Sequence, residues 1–159
     1  MQYGLIAGNG NFPFLVIDGA RRAGASLLVV AIKEETDPAI EKVADTVSWV
    51  GIGQLGKMLS FFKDANIEKV IMAGHVKHVQ LFSSAIPDMR MVKMLWGLKR
   101  RNTDALIGGI AAELAKEGIE LIDSTYFVQD MLAPDGLMTK RKPTDMELEN
   151  IEYGLHITA

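Results

Sequence analysis

Residues 27–32 read LLVVAI, an unbroken apolar run rich in β-branched side chains. A strand with no polar face is buried on both sides, which is how strands of a parallel sheet read, because crossover helices cover both faces of such a sheet. The flanking chain agrees. Toward the N-terminus, Tyr3–Ala7 is a short apolar strand, and Phe12–Arg22 has helical spacing through Phe14, Leu15, Ile17 and Asp18 before Gly24 stops it. Toward the C-terminus, Thr36–Ala44 is a polar connection with Pro38 near a helix start, and Thr46–Val50 is a third strand. A helix over Gln54–Ala65 follows, with Leu55, Met58, Leu59 and Phe62 on one stripe, and then a fourth strand, Lys69–Ala73.

Beyond Gly74 the rhythm changes. His75–Pro87 is a long connection without period, Asp88–Leu98 is a Met-rich helix, and Asn102-Thr103-Asp104 caps a helix that runs through Lys116 to a stop at Gly118. Ile119–Ile122 is a fifth strand, closed by Asp123-Ser124-Thr125. Tyr126–Pro143, with a Pro134-Asp135-Gly136 turn and the basic run Lys140-Arg141-Lys142, reads as a loop leading away from the sheet. The order β-α-β-(α)-β-α-β-α-α-β predicts an α/β fold: an open, mainly parallel Rossmann-like sheet with helices on both faces.

Composition narrows the classes. With 159 residues, 48% of them hydrophobic, the chain suits one packed domain. A net charge of -3 and a pI near 5.6 give no global basic field, so nucleic acid is not an expected partner. The absence of cysteine excludes disulfides and thiolate metal sites and fits a reducing cytoplasm. The first residues enter a strand with no charged leader, and no apolar run reaches the roughly 18 residues a membrane span needs. The expectation is a soluble, unprocessed, cytoplasmic protein. At the other end, TDMELENIEYGLHITA (144–159) opens with a Thr cap and acidic first-turn residues but has no helix stop. Met146, Leu148, Ile151, Leu155 and Ile157 need a surface to pack on. The expected organisation is therefore a domain over 1–143 and, over 144–159, the start of a linker helix into a further domain.

In an open α/β sheet, ligands bind beyond the carboxyl ends of the strands. Three segments fall there. The first is Gly8-Asn9-Gly10-Asn11-Phe12-Pro13. Its glycines allow a tight turn and close approach of backbone N–H groups, the following helix N-terminus suits phosphate, and Pro13 fits a first turn that needs no N–H. As a dinucleotide fingerprint it is incomplete: Pro13 stands where a third glycine is wanted, and the ribose-binding acid about 20 positions on would be Glu34, beside Lys33. No Tyr-x-x-x-Lys pair accompanies it, so an NAD(P)-binding oxidoreductase is the alternative reading.

The second segment is Gly74-His75-Val76-Lys77-His78, which places hydrogen-bonding and cationic groups at the same edge. Lys77 suits a phosphate contact or a plain solvated position, and a His75/His78 metal pair lacks a nearby carboxylate. The third comprises Asn102-Thr103-Asp104 and Asp123-Ser124-Thr125, most economically caps, yet placed where an Asp suits a sugar hydroxyl or a hydrated Mg²⁺. The helix Asp88–Leu98 is apolar nearly all round, with Lys93, Lys99, Arg100 and Arg101 toward its far end. It reads as a buried helix or dimer contact, or as a surface for an acyl chain and an anionic head group.

The assembled motifs resemble a known family. GLIAGNGNFP (4–13), WVGIGQLGKM (49–58), VIMAGHVKH (70–78), the stretch from Asn102 to Thr144 and the later IEYG, in that order and spacing, are similar to the N-terminal portion of the LpxI-type UDP-2,3-diacylglucosamine pyrophosphatases of lipid A biosynthesis. G-x-G-x-x-P is that family's loop. The resemblance implies Mg²⁺-dependent hydrolysis of UDP-2,3-diacylglucosamine to UMP and 2,3-diacylglucosamine 1-phosphate, water attacking the α phosphorus. It also implies a second domain that carries an essential acidic residue, so that no catalytic residue is expected in this chain and the chain alone binds without turning over. Carried onto this sequence, the expected substrate-binding residues are Gly8, Asn9, Gly10, Asn11, Phe12, Pro13, Gly74, His75, Val76, Lys77, Asp104, Ser124, Thr125 and Thr139. Further expectations are peripheral contact with the inner membrane and a homodimer. The alternatives are the oxidoreductase and a nucleotide-binding interaction module.

Overall fold

The computed structural model describes residues 1–76, 87–98, 100 and 102–158. Among these, Met1–Gln129 and Asp130–Ala159 form two compact units.

The first unit is built on five parallel strands: β1 (Gln2–Ala7), β2 (Ser26–Ile32), β3 (Thr46–Val50), β4 (Lys69–Ala73) and β5 (Glu120–Leu121), in the order β3-β2-β1-β4-β5. Its helices are α1 (Phe12–Arg22), α2 (Leu55–Asp64), α3 (Met89–Gly97) and α4 (Thr103–Lys116), with a 3-10 turn over Pro38–Lys42 started by Asp37, whose carboxylate accepts the Ala39 N–H. The expected α/β architecture is therefore present.

Strand pleating divides the core into two. Tyr3, Leu5, Ala7, Leu27, Val29, Ala31, Ile71 and Ala73 point to one face and pack with Val16, Ile17 and Ala20 of α1. Ile6, Leu28, Val30, Ile32 and Val70 point to the other and pack with Leu55, Met58, Leu59 and Phe62 of α2, Met91 and Met94 of α3 and Leu106 and Leu114 of α4. Because successive side chains alternate faces, the run LLVVAI serves both cores at once.

Two local expectations are corrected. The fifth strand pairs only over Glu120–Leu121, flanked by the hydrogen bonds Glu120 N–H to Glu68 O and Ile122 N–H to Val70 O, instead of spanning Ile119–Ile122. The chain after it does not lead away at once. Tyr126 meets Tyr3 at a tilt and Phe127 meets it edge-on, with ring centroids 5.9 and 5.1 Å distant, and Val128 is 2% exposed. Aromatic burial, which no sequence period announces, holds this segment to the α1 face.

In the second unit, α5 (Asp145–Thr158) has no buried residue. At 3.6 residues per turn its apolar side chains make two opposed stripes, Leu148/Ile151/Leu155 and Met146/Tyr153/Ile157, all exposed. Among the described residues, no helix is long and apolar enough to cross a membrane.

Candidate binding site at the carboxyl edge of the sheet

The strand order reverses at β1. From β1 the chain builds outward through β2 and β3, then returns to place β4 on the other side of β1, so that the β1 and β4 loops lie at the switch point where an open α/β sheet has its ligand crevice. Here the two loops cross. The Gly8 N–H donates to Ala73 O at 2.8 Å, the Asn9 N–H to His75 O at 2.7 Å, and the His75 N–H returns a bond to Asn9 O at 2.9 Å. The crossing leaves no room for a side chain on either glycine. A Cβ on Gly8 would lie 2.6 Å from His75 O, and one on Gly74, whose φ is +93°, would lie 2.8 Å from Asn9 O.

A second layer of hydrogen bonds fixes the first loop from the β2 side. The Asn9 amide donates to Glu35 O at 3.0 Å. Thr36, buried, donates its hydroxyl to Ala7 O at 2.6 Å and accepts the Ile32 N–H at 2.9 Å. Glu34, the acid at the position a dinucleotide-binding fold uses for ribose, accepts the Ile52 N–H at 3.2 Å and so ties the β2 turn to the loop after β3. That loop is closed by the Gln54 side chain, which accepts the Gly51 N–H at 2.9 Å. Asp88 then joins two helices: its carboxylate accepts the Gly56 N–H of α2 at 2.6 Å and the Met91 N–H of α3 at 2.8 Å. Both bonds satisfy first-turn amides that a helix cannot satisfy internally.

Enclosed by these elements is a cavity of about 350 Å³. Gly74 and His75 form its polar rim, shared with the crossing, and Ile32, Met72, Met91 and Leu106 are among its apolar walls. Beside Gly74, α1 begins at Asn11, whose side chain makes no cap hydrogen bond, with Pro13 in the first turn; a Cβ on Gly74 would lie 3.0 Å from the Pro13 ring. The site thus sets a helix N-terminus, a group suited to an anion, at the loop crossing whose Gly74 and His75 also line a largely hydrocarbon-walled space.

The segment Gly8–Pro13 and the residues Gly74, His75 and Val76 come together here, Val76 on the cavity wall. Lys77 and His78 lie outside the described residues. Asp104 is exposed in the first turn of α4, one position beyond Thr103, which does line the cavity; Asn102 is a true cap, accepting the Ala105 N–H at 3.0 Å. Ser124 and Thr125 follow the end of β5. Thr125 is engaged internally: its N–H and hydroxyl both donate to Asp123, each at 2.6 Å, and its hydroxyl accepts from Gln129. These bonds hold the Asp123 carboxyl below its usual range, the Thr125 hydroxyl contributing most. Thr139 belongs to the second unit, where its hydroxyl donates to Arg141 O at 2.8 Å.

The sequence did not single out Gly51, Ile52, Gln54 and Ile107, all of which line the cavity, and it named Thr103 only within a helix cap at the sheet edge. The signal was the glycine pair after β3 in WVGIGQ, read as part of a resemblance and not as a third loop at the same edge. No group of three or more His, Asp or Glu side chains able to hold a metal ion occurs among the described residues. The Mg²⁺ expected from the resemblance does not fit the donors gathered here, since the crossing offers amides and one imidazole, and Asp104 and Asp123 stand on separate elements.

Comparison with known proteins adds four findings. The model of the LpxI N-terminal domain family matches residues 2–131. A curated relative, the UDP-2,3-diacylglucosamine pyrophosphatase LpxI of Caulobacter vibrioides, is 29% identical over 98% of this chain; the chain spans 56% of the relative's length. Among solved structures, a UDP-glucose-4-epimerase from Stenotrophomonas maltophila with bound NAD and formylated UDP-arabinopyranose is similar at a TM-score of 0.49 and 14% identity, covering 99% of this chain and 49% of that one. The biotin carboxylase domain of a single-chain bacterial carboxylase is similar at a TM-score of 0.46 and 14% identity, over 98% of this chain and 35% of that one.

Proposed function

The chain belongs to the LpxI N-terminal domain family, and from that premise we propose that it is the substrate-binding domain of an enzyme that hydrolyses UDP-2,3-diacylglucosamine. The observation that carries the reading is the continuity of the two surfaces: Gly74 and His75 belong both to the loop crossing and to the rim of the apolar cavity. A nucleotide-linked lipid has the same division, an anionic diphosphate beside hydrocarbon. The Gly8–Pro13 turn and the α1 N-terminus receive the diphosphate, Gly74 and His75 mark the boundary, and the walls formed by Ile32, Met72, Met91 and Leu106 take acyl carbon.

The reaction is hydrolysis at the α phosphorus. A water oxygen forms a bond to that phosphorus as its bond to the bridging oxygen breaks, giving UMP and 2,3-diacylglucosamine 1-phosphate. This chain's own residues hold and orient the substrate, and acids at the sheet edge are engaged in holding the fold: Glu34 accepts the Ile52 N–H, Asp88 accepts first-turn amides of two helices and Asp123 accepts from Thr125. We therefore assign binding, not turnover, to the isolated chain.

The test is calorimetric titration with UDP-2,3-diacylglucosamine and, separately, NADH, followed by a UMP-release assay in Mg²⁺. Saturable binding of the lipid nucleotide, none of NADH, and at most trace UMP release are expected. Saturable NADH binding without the lipid nucleotide would overturn the substrate assignment, and robust UMP release would overturn the division of labour.

A further inference from the structure

We propose that the outer face of α3 is a docking surface for an anionic phospholipid bilayer. Two of the most exposed large apolar residues of the first unit lie on this one helix: Trp96, 84% exposed, and Met89, 72% exposed. They stand seven residues apart, two turns along the same side, with exposed Lys93 between them in sequence. Met91 and Met94 point the opposite way into the core, so the outer apolar pair is not an extension of internal packing.

The sequence of this helix and its end is one-sided in charge. From Arg90 to Leu98, with Arg100 beyond, the described residues carry Arg90, Lys93 and Arg100 and no acidic residue, in a chain whose net charge is -3. Arg90 is engaged with Glu113 and Glu117 of α4. Those two carboxylates are themselves engaged by Lys116 and Lys63, so the acids packed against α3 are already matched by cations. Lys93, on the same side of the helix as Met89 and Trp96, and Arg100, just beyond the helix end, are both exposed. A tryptophan and a thioether flanked by cations suit the interface of a bilayer, where the indole sits at head-group level and lysine and arginine meet anionic lipid. Charge complementarity selects an anionic lipid surface as the occupant.

The inference builds on the proposed lipid substrate for its purpose. The inward side of α3 contributes Met91 to the cavity, and the outward side carries Met89 and Trp96, so one helix adjoins both the bilayer and the space for acyl carbon.

The experiment is co-sedimentation of the chain with vesicles of phosphatidylcholine alone and of phosphatidylcholine mixed with phosphatidylglycerol, in the absence of substrate. Binding to the mixed vesicles only is expected, weakening with salt and about fivefold for each basic residue reversed or removed. Lys93→Glu and Trp96→Ala should each reduce it, with far-UV circular dichroism unchanged. In a Trp49→Phe background, Trp96 emission should shift to the blue on binding. Equal binding to both vesicle types, or binding indifferent to both substitutions, would overturn the proposal. So would sedimentation velocity showing a dimer that Trp96→Ala dissociates, since a second copy would then cover this face. Titration of Trp96→Ala with UDP-2,3-diacylglucosamine separates the two readings: retained affinity with lost vesicle binding is expected here, whereas failure of the wild-type chain to bind that ligand, with vesicle binding intact, tells against the substrate assignment alone.

Discussion

Gly74 is the residue on which the two loops of the site depend. Its φ of +93° excludes most side chains, and the Asn9 carbonyl occupies the place of a Cβ. Gly74→Ala should cost about 1–3 kcal/mol, the order of a strained backbone residue, and lower the midpoint of thermal unfolding by about 2–4 °C per kcal/mol for a chain of this size. Gly108→Ala, with open space at an exposed site inside α4, should instead raise the midpoint, gaining about 0.5–1 kcal/mol of helix propensity. Calorimetric scans of the two variants decide it; equal midpoints would contradict the crossing geometry. The glycines of the first loop were legible because a G-x-G between strand and helix has few other uses. That Gly74 meets Gly8 was not, since the two are joined only by strand pairing. Thr36 gave still less sign of itself: a threonine in the polar run Glu34–Pro38 looks solvated, and only the fold turns its hydroxyl onto Ala7 O.

Elements carry their own tests. The Thr144-x-x-Glu147 box that opens α5 forms as its sequence predicts: the Thr144 N–H donates to Glu147 Oε2 at 2.8 Å, and the Glu147 N–H donates to the Thr144 hydroxyl at 3.4 Å. Arg141 adds a fork to both carboxylate oxygens, at 2.9 and 2.8 Å. These partners, Arg141 foremost, lower the Glu147 pKa from its ordinary 4.5 to about 2. The folded value lies below the unfolded one, so the contribution to the helix start is fully present above pH 4.5 and is lost as pH falls toward 2. Carboxyl chemical shifts should show Glu147 titrating near pH 2 and returning toward its ordinary value in Arg141→Gln. An ordinary midpoint in the unaltered chain would contradict the fork. Periodic elements were legible in this way: α1 matches its sequence bounds, and α3, expected over Asp88–Leu98, runs over Met89–Gly97 between those two residues. The shortness of β5 and the folding back of Tyr126–Val128 were not, because neither depends on a local pattern; each depends on what the rest of the sheet leaves open.

At the scale of the molecule, the two-sided burial of LLVVAI was enough to give a parallel sheet, but the order β3-β2-β1-β4-β5 rests on the chain's return across β1, which composition does not encode. That return makes the crevice. It also explains why several cavity residues escaped notice: Ile32, the pair Gly51 and Gln54, Met91 and Ile107 come from four separate stretches that meet only at the carboxyl edge. The central claim is that one continuous site holds both an anion and a hydrocarbon. Its most direct measurement is the ratio of dissociation constants for UDP-2,3-diacylglucosamine and its unacylated counterpart, UDP-linked 2,3-diaminoglucose or glucosamine, on the wild-type chain and on Ile107→Glu at the cavity wall. With about 0.8 kcal/mol per buried methylene, even two or three buried carbons make the acylated ligand bind at least tenfold more tightly, and Ile107→Glu should erase most of that preference while leaving the unacylated ligand's affinity unchanged. Equal affinity for both ligands on the wild-type chain would contradict the account.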